Sequence, residues 1–256
     1  MLQASSSRET RDGAREVKFL VQPELAGKIL EWSRDRLAAD PFGDGQFGDQ
    51  YLTTSLYFDT DDFAVYQRRG SYRRSKLRIR RYGSADVVFL ERKLRTSNLL
   101  SKRRTIVPIE ELSCLTSSHV PGEWAGRWFE ERLRTRRLRP ICQVSYRRSA
   151  RVGTGIFGPM RLTFDESIVA QSCDRFEFAP ITGVPTLRDR VIIEMKYCVE
   201  PPAVLRHVVE EFKLEPLGVS KYRLSLDALA ASGQIAHGVI EPDTLAAKEL
   251  TGGGDA

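Results

Sequence analysis

The sequence predicts an α+β fold, an antiparallel β-barrel of about eight strands, closed or nearly closed, with flanking helices. Three observations carry that expectation. About eight short runs of alternating or apolar residues are separated by turn-forming segments. Several of them follow one another at hairpin spacing, as in an antiparallel meander. Three carry a Glu-x-Lys pair (Glu16-Val17-Lys18, Glu91-Arg92-Lys93 and Glu194-Met195-Lys196), and a fourth, Lys76–Tyr82, alternates basic with apolar residues. A strand sends residues i and i+2 to one side, so each run has a charged face and an opposite face that needs cover. The charged faces line a barrel interior if the sheet closes. An open sheet with its charged face in water fits the same alternation.

Residues 1–13 are polar and Ser/Arg-rich and read as a disordered tail. Arg15–Val21 reads as the first strand. Pro23 opens a helix to about Asp40, with Leu25, Ile29, Trp32 and Leu37 on one face. Pro41–Gln50 is a Gly/Asp-rich loop, Tyr51–Phe58 a strand, and Asp59–Arg69 a short helix carrying Phe63 and Tyr66, with Asp59 as its cap. Lys76–Tyr82, Val87–Leu94 and Lys102–Ile109 form the meander. Pro121–Leu138 reads as one amphipathic helix with Trp124, Trp128, Phe129 and Leu133 as its stripe. The arginines crowding its end (Arg132, Arg134, Arg136, Arg137, Arg139) match a helix C-terminus. Ile141–Ser149, Met160–Phe164, Phe176–Phe178 and Arg190–Cys198 read as strands. Pro201–Phe212 and Ser220–Ala231 read as helices, the second capped by Ser220. One domain spans 14–232, and 233–256 is a Gly-rich tail.

The 256 residues are 41% hydrophobic and 29% charged, with a net charge of +6. That composition suits a globular domain with a real core. Much of the basic excess is arginine, whose planar fork grips phosphate. Four scattered cysteines without a C-x-x-C pattern, and only three histidines, argue against a zinc site or a disulfide framework. There is no apolar run of membrane-spanning length and no signal-peptide h-region, so the expected compartment is the cytoplasm, with no intrinsic membrane segment. No recognisable RNA- or DNA-binding module is present, so no specific nucleic-acid partner is expected. If the charged faces converge, they make a cationic cavity with a few carboxylates, suited to a polyanion and a divalent metal.

The chain also resembles a known family. Glu16-Val17-Lys18-Phe19, Tyr57-Phe58-Asp59-Thr60 followed by Tyr66, Lys76-Leu77-Arg78-Ile79-Arg80-Arg81-Tyr82, Phe89-Leu90-Glu91-Arg92-Lys93 and Ser101-Lys102-Arg103-Arg104 lead the match. Tyr146-Arg147-Arg148, Arg161-Leu162-Thr163-Phe164-Asp165, Ile193-Glu194-Met195-Lys196 and Ser220-Lys221-Tyr222 complete it. Together, in this order, they resemble the VTC-type polyphosphate polymerase domain of the CYTH, or triphosphate tunnel metalloenzyme, superfamily. The resemblance implies an eight-stranded triphosphate tunnel, Mg²⁺ or Mn²⁺ as cofactor, and ATP and polyphosphate as substrates of phosphoryl transfer. It implies that Lys18, Arg78, Arg80, Lys93, Arg147, Arg161, Lys196 and Lys221 bind phosphate, with Arg147 and Arg148 competing for one inward position. Lys102 and Arg104 (or Arg103) guide the chain. Arg78, Arg80, Lys196 and Lys221 serve catalysis, Glu194 binds the metal, and Glu91 is a second metal candidate. Tyr57, Phe58 and Tyr66 read as core packing. Hydrolases of the superfamily open with Glu-x-Glu-x-Lys. Here Ala14 stands where the first glutamate would be, which favours the polymerase branch over a triphosphatase. Eukaryotic relatives add a sensor domain and membrane helices, so vectorial export is not expected of these 256 residues.

Overall fold

The computed structural model describes residues 15–43, 49–96 and 99–235, and the side chains of all but 95, 96, 99 and 100 among them. The expected tail at 1–13, most of the one at 233–256, and 44–48 of the Gly/Asp-rich loop lie outside the described residues. The strands are β1 (Arg15–Val21), β2 (Ala38–Ala39), β3 (Gln50–Asp59), β4 (Ser75–Tyr82), β5 (Val87–Thr96), β6 (Leu99–Pro108), β7 (Arg139–Gly155), β8 (Gly158–Ser172), β9 (Val184–Pro185) and β10 (Val191–Tyr197). The helices are α1 (Pro23–Arg34), α2 (Arg127–Thr135), α3 (Ala203–Glu211) and α4 (Lys221–Ala231).

Eight strands run in the order β1-β10-β8-β7-β3-β4-β5-β6, each antiparallel to its neighbour, with β2 added to β7 and β9 to β8. This is the predicted antiparallel α+β architecture. Closure differs from expectation: β1 and β6 end the path, and no ladder joins them among the described residues. The sheet curls all the same, because Glu16 on β1 holds Lys93 on β5 at 2.9–3.0 Å. The segment before α4 bridges the seam. Leu217 N–H donates to Lys18 O (2.8 Å), Lys18 Nζ to Val219 O (3.1 Å) and Lys76 Nζ to Ser220 Oγ (2.8 Å). The strand ladder is open between β1 and β6 among the described residues, and side chains together with the segment before α4 bridge it.

Alternation puts the apolar faces outside. Phe19, Leu162 and Ile193 pack beneath Ile29 of α1 and Leu205 and Val208 of α3. Leu77, Ile79, Leu90 and Val107 share a second cluster with Phe129 and Leu133 of α2. That cluster continues onto the inward face at one end of the sheet, where Ile168 and Ala170 of β8, the latter opposite Val144, meet Leu224, Leu226 and Leu229 of α4. A bulge makes this possible. Between Ser145 and Arg147 of β7 the register on β8 shifts, and Ser167 takes a positive φ of 50°. Parity along β8 therefore changes, from Asp165 to Ile168 and Ala170.

Besides changed bounds, among them a first helix that ends at Arg34 ahead of β2 and not near Asp40, three elements differ from the sequence reading. Asp59–Arg69 is a chain of turns, because Phe63 (φ 56°) and Arg68 (φ 55°) leave the helical region. The buried Asp59 carboxylate organises them instead, accepting N–H bonds from Thr60, Val65 and Tyr66 at 2.7–2.8 Å and the hydroxyl of Tyr222. Residues 121–126 form turns ahead of a shorter α2. A Cβ on Gly126 would lie 2.4 Å from the Trp124 ring and 2.7 Å from Leu90, so the turn depends on glycine. Phe176–Phe178 is not a strand; Phe176 packs its ring against Phe58 instead. No described helix is long and apolar enough to cross a membrane.

Candidate functional site

The inward positions of the curled sheet bring the charged side chains into four adjoining groups. On β1 and β10, Glu16 lies 2.9 Å from Lys93, 3.2 Å from Lys18 and 3.8 Å from Lys196. Glu194 lies 2.5 Å from Lys196 and 3.5 Å from Lys18. On β4–β6, Glu91 accepts from Arg78 at 2.6 Å and Arg104 at 2.7 Å, and meets Lys102 at 2.8 Å. On β7 and β8, Asp165 takes Arg148 in a two-bonded fork (2.6 and 2.8 Å), and Lys221 at the start of α4 reaches it at 2.5 Å. Arg161 bridges Asp40 and the Tyr51 hydroxyl, both at 2.6 Å.

Electrostatics follow from crowding. Burial pushes Glu194 upward, but Lys196, Lys18 and Lys221 outweigh it and hold the carboxylate well below its usual range. Glu16 is likewise brought down to about 2, with burial and Glu194 opposing and Lys18, Lys93 and Lys196 prevailing. Two inward cations have no carboxylate partner among the described residues. Arg80, 4% exposed, donates only to neutral oxygens, Ser55 Oγ (3.1 Å) and Tyr146 Oη (2.9 Å). Lys76 donates to Ser220 Oγ, and burial together with Lys18, Arg68 and Lys93 lowers it to about 7. Arg80 and Arg104 pull the Tyr82 phenol down to about 7 against the upward push of burial.

The structure brings together Lys18, Arg78, Arg80, Glu91, Lys93, Lys102, Arg104, Arg161, Glu194, Lys196 and Lys221, all singled out from the sequence. It does not bring in Arg147, which is exposed on the outer surface opposite Glu166. Its neighbour Arg148 occupies the inward position, because alternation admits only one of an adjacent pair. Sequence reasoning left Glu16, Lys76 and Asp165 without a role, and left Arg148 as the alternative to Arg147. Glu16 and Lys76 stand two residues before Lys18 and Arg78 on the same faces, and the signal for Asp165 is its place four residues after Arg161 on the same strand face. Tyr57 is core, as read, and also faces the channel, stacking on Tyr222.

A buried cation without a direct ion pair is costly, and although Arg80 feels Glu91 at a distance, a channel holding Arg80 and Lys76 favours an anion. Its carboxylates give hard oxygen donors of the kind Mg²⁺ and Mn²⁺ prefer. Glu16 and Glu194 share Lys18 and Lys196 and feel one another's charge, which fits a divalent ion between them. Glu91, ringed by three cations within 2.8 Å, does not offer that. Among the described residues no group of three or more metal-ligating side chains occurs. An ion there would draw most of its ligands from phosphate oxygens and water.

Comparison with known proteins agrees with this fold. The VTC domain family matches residues 13–230. Among solved structures, a candidate adenylate cyclase from Bacillus halodurans is 20% identical, with a TM-score of 0.51 over 81% of this chain and 95% of that one, and shares the fold. A candidate adenylyl cyclase from Hippeastrum, described as having a dominant triphosphatase activity, is 16% identical, with a TM-score of 0.47 over 88% and 98%. A protein from Pyrococcus horikoshii is 16% identical, with a TM-score of 0.44 over 83% and 99%. No curated protein sequence matches. With a match spanning nearly all of the described chain, the protein belongs to the VTC domain family.

Proposed function

We propose that the protein is a metal-dependent phosphotransferase that passes the terminal phosphate of ATP to a growing polyphosphate chain inside the channel. The observation that supports this reading is the convergence of inward cations from separate strands, with Arg80 and Lys76 hydrogen-bonded only to neutral oxygens. Phosphoryl transfer asks mainly for alignment and for neutralisation of charge on the equatorial oxygens. Arg78, Arg80, Lys18, Lys93, Arg148 and Arg161 grip successive phosphates. Their carboxylate partners hold the forks in place before substrate arrives, so little reorganisation is left for the reaction. Lys196 and Lys221, tethered to Glu194 and Asp165, flank the phosphate being transferred. Lys102 and Arg104, on the strand at one end of the sheet path, guide the chain. Glu194 with Glu16 holds Mg²⁺ or Mn²⁺, which when bound screens charge between the phosphates.

Incubation with ATP and Mn²⁺, with products resolved by gel, tests the proposal. Long phosphate chains are expected. Orthophosphate alone would make the protein a triphosphatase, and tight binding without turnover a sensor. Glu194→Gln, which keeps the side-chain shape, should lower metal-dependent turnover about a hundredfold or more while circular dichroism is unchanged, since one well-placed electrostatic group contributes about 10²–10³.

A further inference from the structure

At the end of the channel where β4 finishes, the inward row turns from basic to aromatic. Tyr82 shares the face of Arg78 and Arg80. Tyr51 and Phe89 meet its ring edge-on, with centroids 5.7 and 5.2 Å away. Arg104 donates to the Tyr82 hydroxyl at 3.1 Å and is itself held by Glu91, so the ring is fixed. Cations crowd this end: Arg80, Arg104 and Arg148 all act on the Tyr82 phenol, and Arg161 bonds the Tyr51 hydroxyl at 2.6 Å. Over the aromatic group lies Phe42, from the segment between β2 and β3. Its ring stacks on Tyr82, 22° from parallel, with centroids 5.7 Å apart. Its N–H donates to one oxygen of the Asp40 carboxylate at 3.0 Å, and the other oxygen holds Arg161 at 2.6 Å. Phe42 is nevertheless 52% exposed.

A single exposed apolar ring is ordinary on a protein surface. This one is set apart by its place: it is stacked from behind, and pinned through Asp40 to Arg161, where a cationic channel ends. We propose that Phe42, backed by Tyr82, is a stacking platform for the base of a nucleoside triphosphate whose phosphates run inward past Arg161 and Arg80. A string of phosphates has no π-face to offer such a ring, whereas every nucleobase has one. Stacking on an aromatic side chain tolerates any base, so the substrate class is nucleoside triphosphates at large, with purines ahead of pyrimidines through their larger stacked area. The inference rests on the channel as the triphosphate site and adds a base subsite to it.

Calorimetric titration of the whole protein with ATP and with ribose 5-triphosphate, which carries the same phosphates without a base, tests the subsite. ATP should bind at least about fivefold more tightly, the scale of one stacked base. Phe42→Ala, at an exposed position, should erase that difference while ribose 5-triphosphate stays within about twofold of its original affinity. Phe42→Trp should keep or widen the difference. Arg80→Ala should weaken both ligands alike. Equal affinities for the two ligands in the unmodified protein would overturn the proposal, as would a difference that survives Phe42→Ala. Equal weakening of both ligands by Phe42→Ala would make the ring part of the scaffold and overturn it too. Should ribose 5-triphosphate fail to bind the unmodified protein, or bind regardless of Arg80, the channel reading itself falls and takes this inference with it.

Discussion

Raising the pH from 6 to 8 should weaken triphosphate binding in the channel about tenfold through Lys76 alone, a magnitude that follows from proton linkage. In the free protein the Lys76 ammonium titrates near 7 instead of 10.5, first because it is buried and then because Lys18, Arg68 and Lys93 surround it. A polyanion among the same groups removes that penalty and returns Lys76 toward its ordinary value. At pH 6 the amine is about nine-tenths protonated before binding, and at pH 8 only about one-tenth. Binding therefore takes up about 0.1 proton at pH 6 and about 0.9 at pH 8, and the affinity falls by about 1.3 kcal/mol across the interval. The sign for stability runs the other way. Because the folded pKa lies below the unfolded one, the penalty is full below pH 7 and is relieved as pH rises from 7 toward 10.5. Tyr82 (about 7) and Lys102 (about 8) titrate in the same window, and the terminal phosphate of the ligand titrates with them. The measurement is therefore a difference: calorimetry in buffers of different ionisation enthalpy, on the unmodified protein and on Lys76→Met. Lys76→Met should take up about one proton fewer at pH 8 and show a shallower pH slope. Equal slopes would refute the role of Lys76.

Two further outcomes separate site from scaffold. Asp165 is fully buried between Arg148 and Lys221, so Asp165→Asn should cost about 3–5 kcal/mol of stability in urea unfolding, the scale for breaking one side of a buried ion pair. Arg147→Ala should leave stability within about 0.5 kcal/mol and triphosphate affinity unchanged, as for an exposed side chain. Arg148→Ala should lower affinity at least about tenfold, by loss of a charge-assisted contact; equal effects of the two substitutions in the same titration would show that the inward position has been misassigned.

Much of the site was legible because strand alternation is strict. Once Lys76–Tyr82 is read as a strand, Arg78 and Arg80 must share a side, and the Glu-x-Lys pairs follow the same rule. Where two candidates stand adjacent, alternation says that one turns in but not which. Arg147 and Arg148 were decided by the pairing of β7 with β3, where Arg148 stands opposite Tyr51 and shares the face of Tyr146 and Val144. The turns after Asp59 were misread for a related reason. Phe63 and Tyr66 have helical spacing, but the carboxylate that gathers Thr60, Val65 and Tyr66 also needs Tyr222, 163 positions away. No local pattern carries that.

The amino-acid order by itself determined where the main strands lie, which face of each is charged and which apolar, and the family to which the chain belongs. These follow from period-two geometry and from a series of short motifs. Tertiary structure alone decided that the charged faces turn inward, that the backbone ladder stays open between β1 and β6, and which carboxylate answers which cation. Those outcomes depend on how far the sheet curls. Curl is set by long-range packing of α1, α3 and α4 and by the Glu16–Lys93 bridge across the seam, and two strands far apart in sequence carry no sign of each other until they meet.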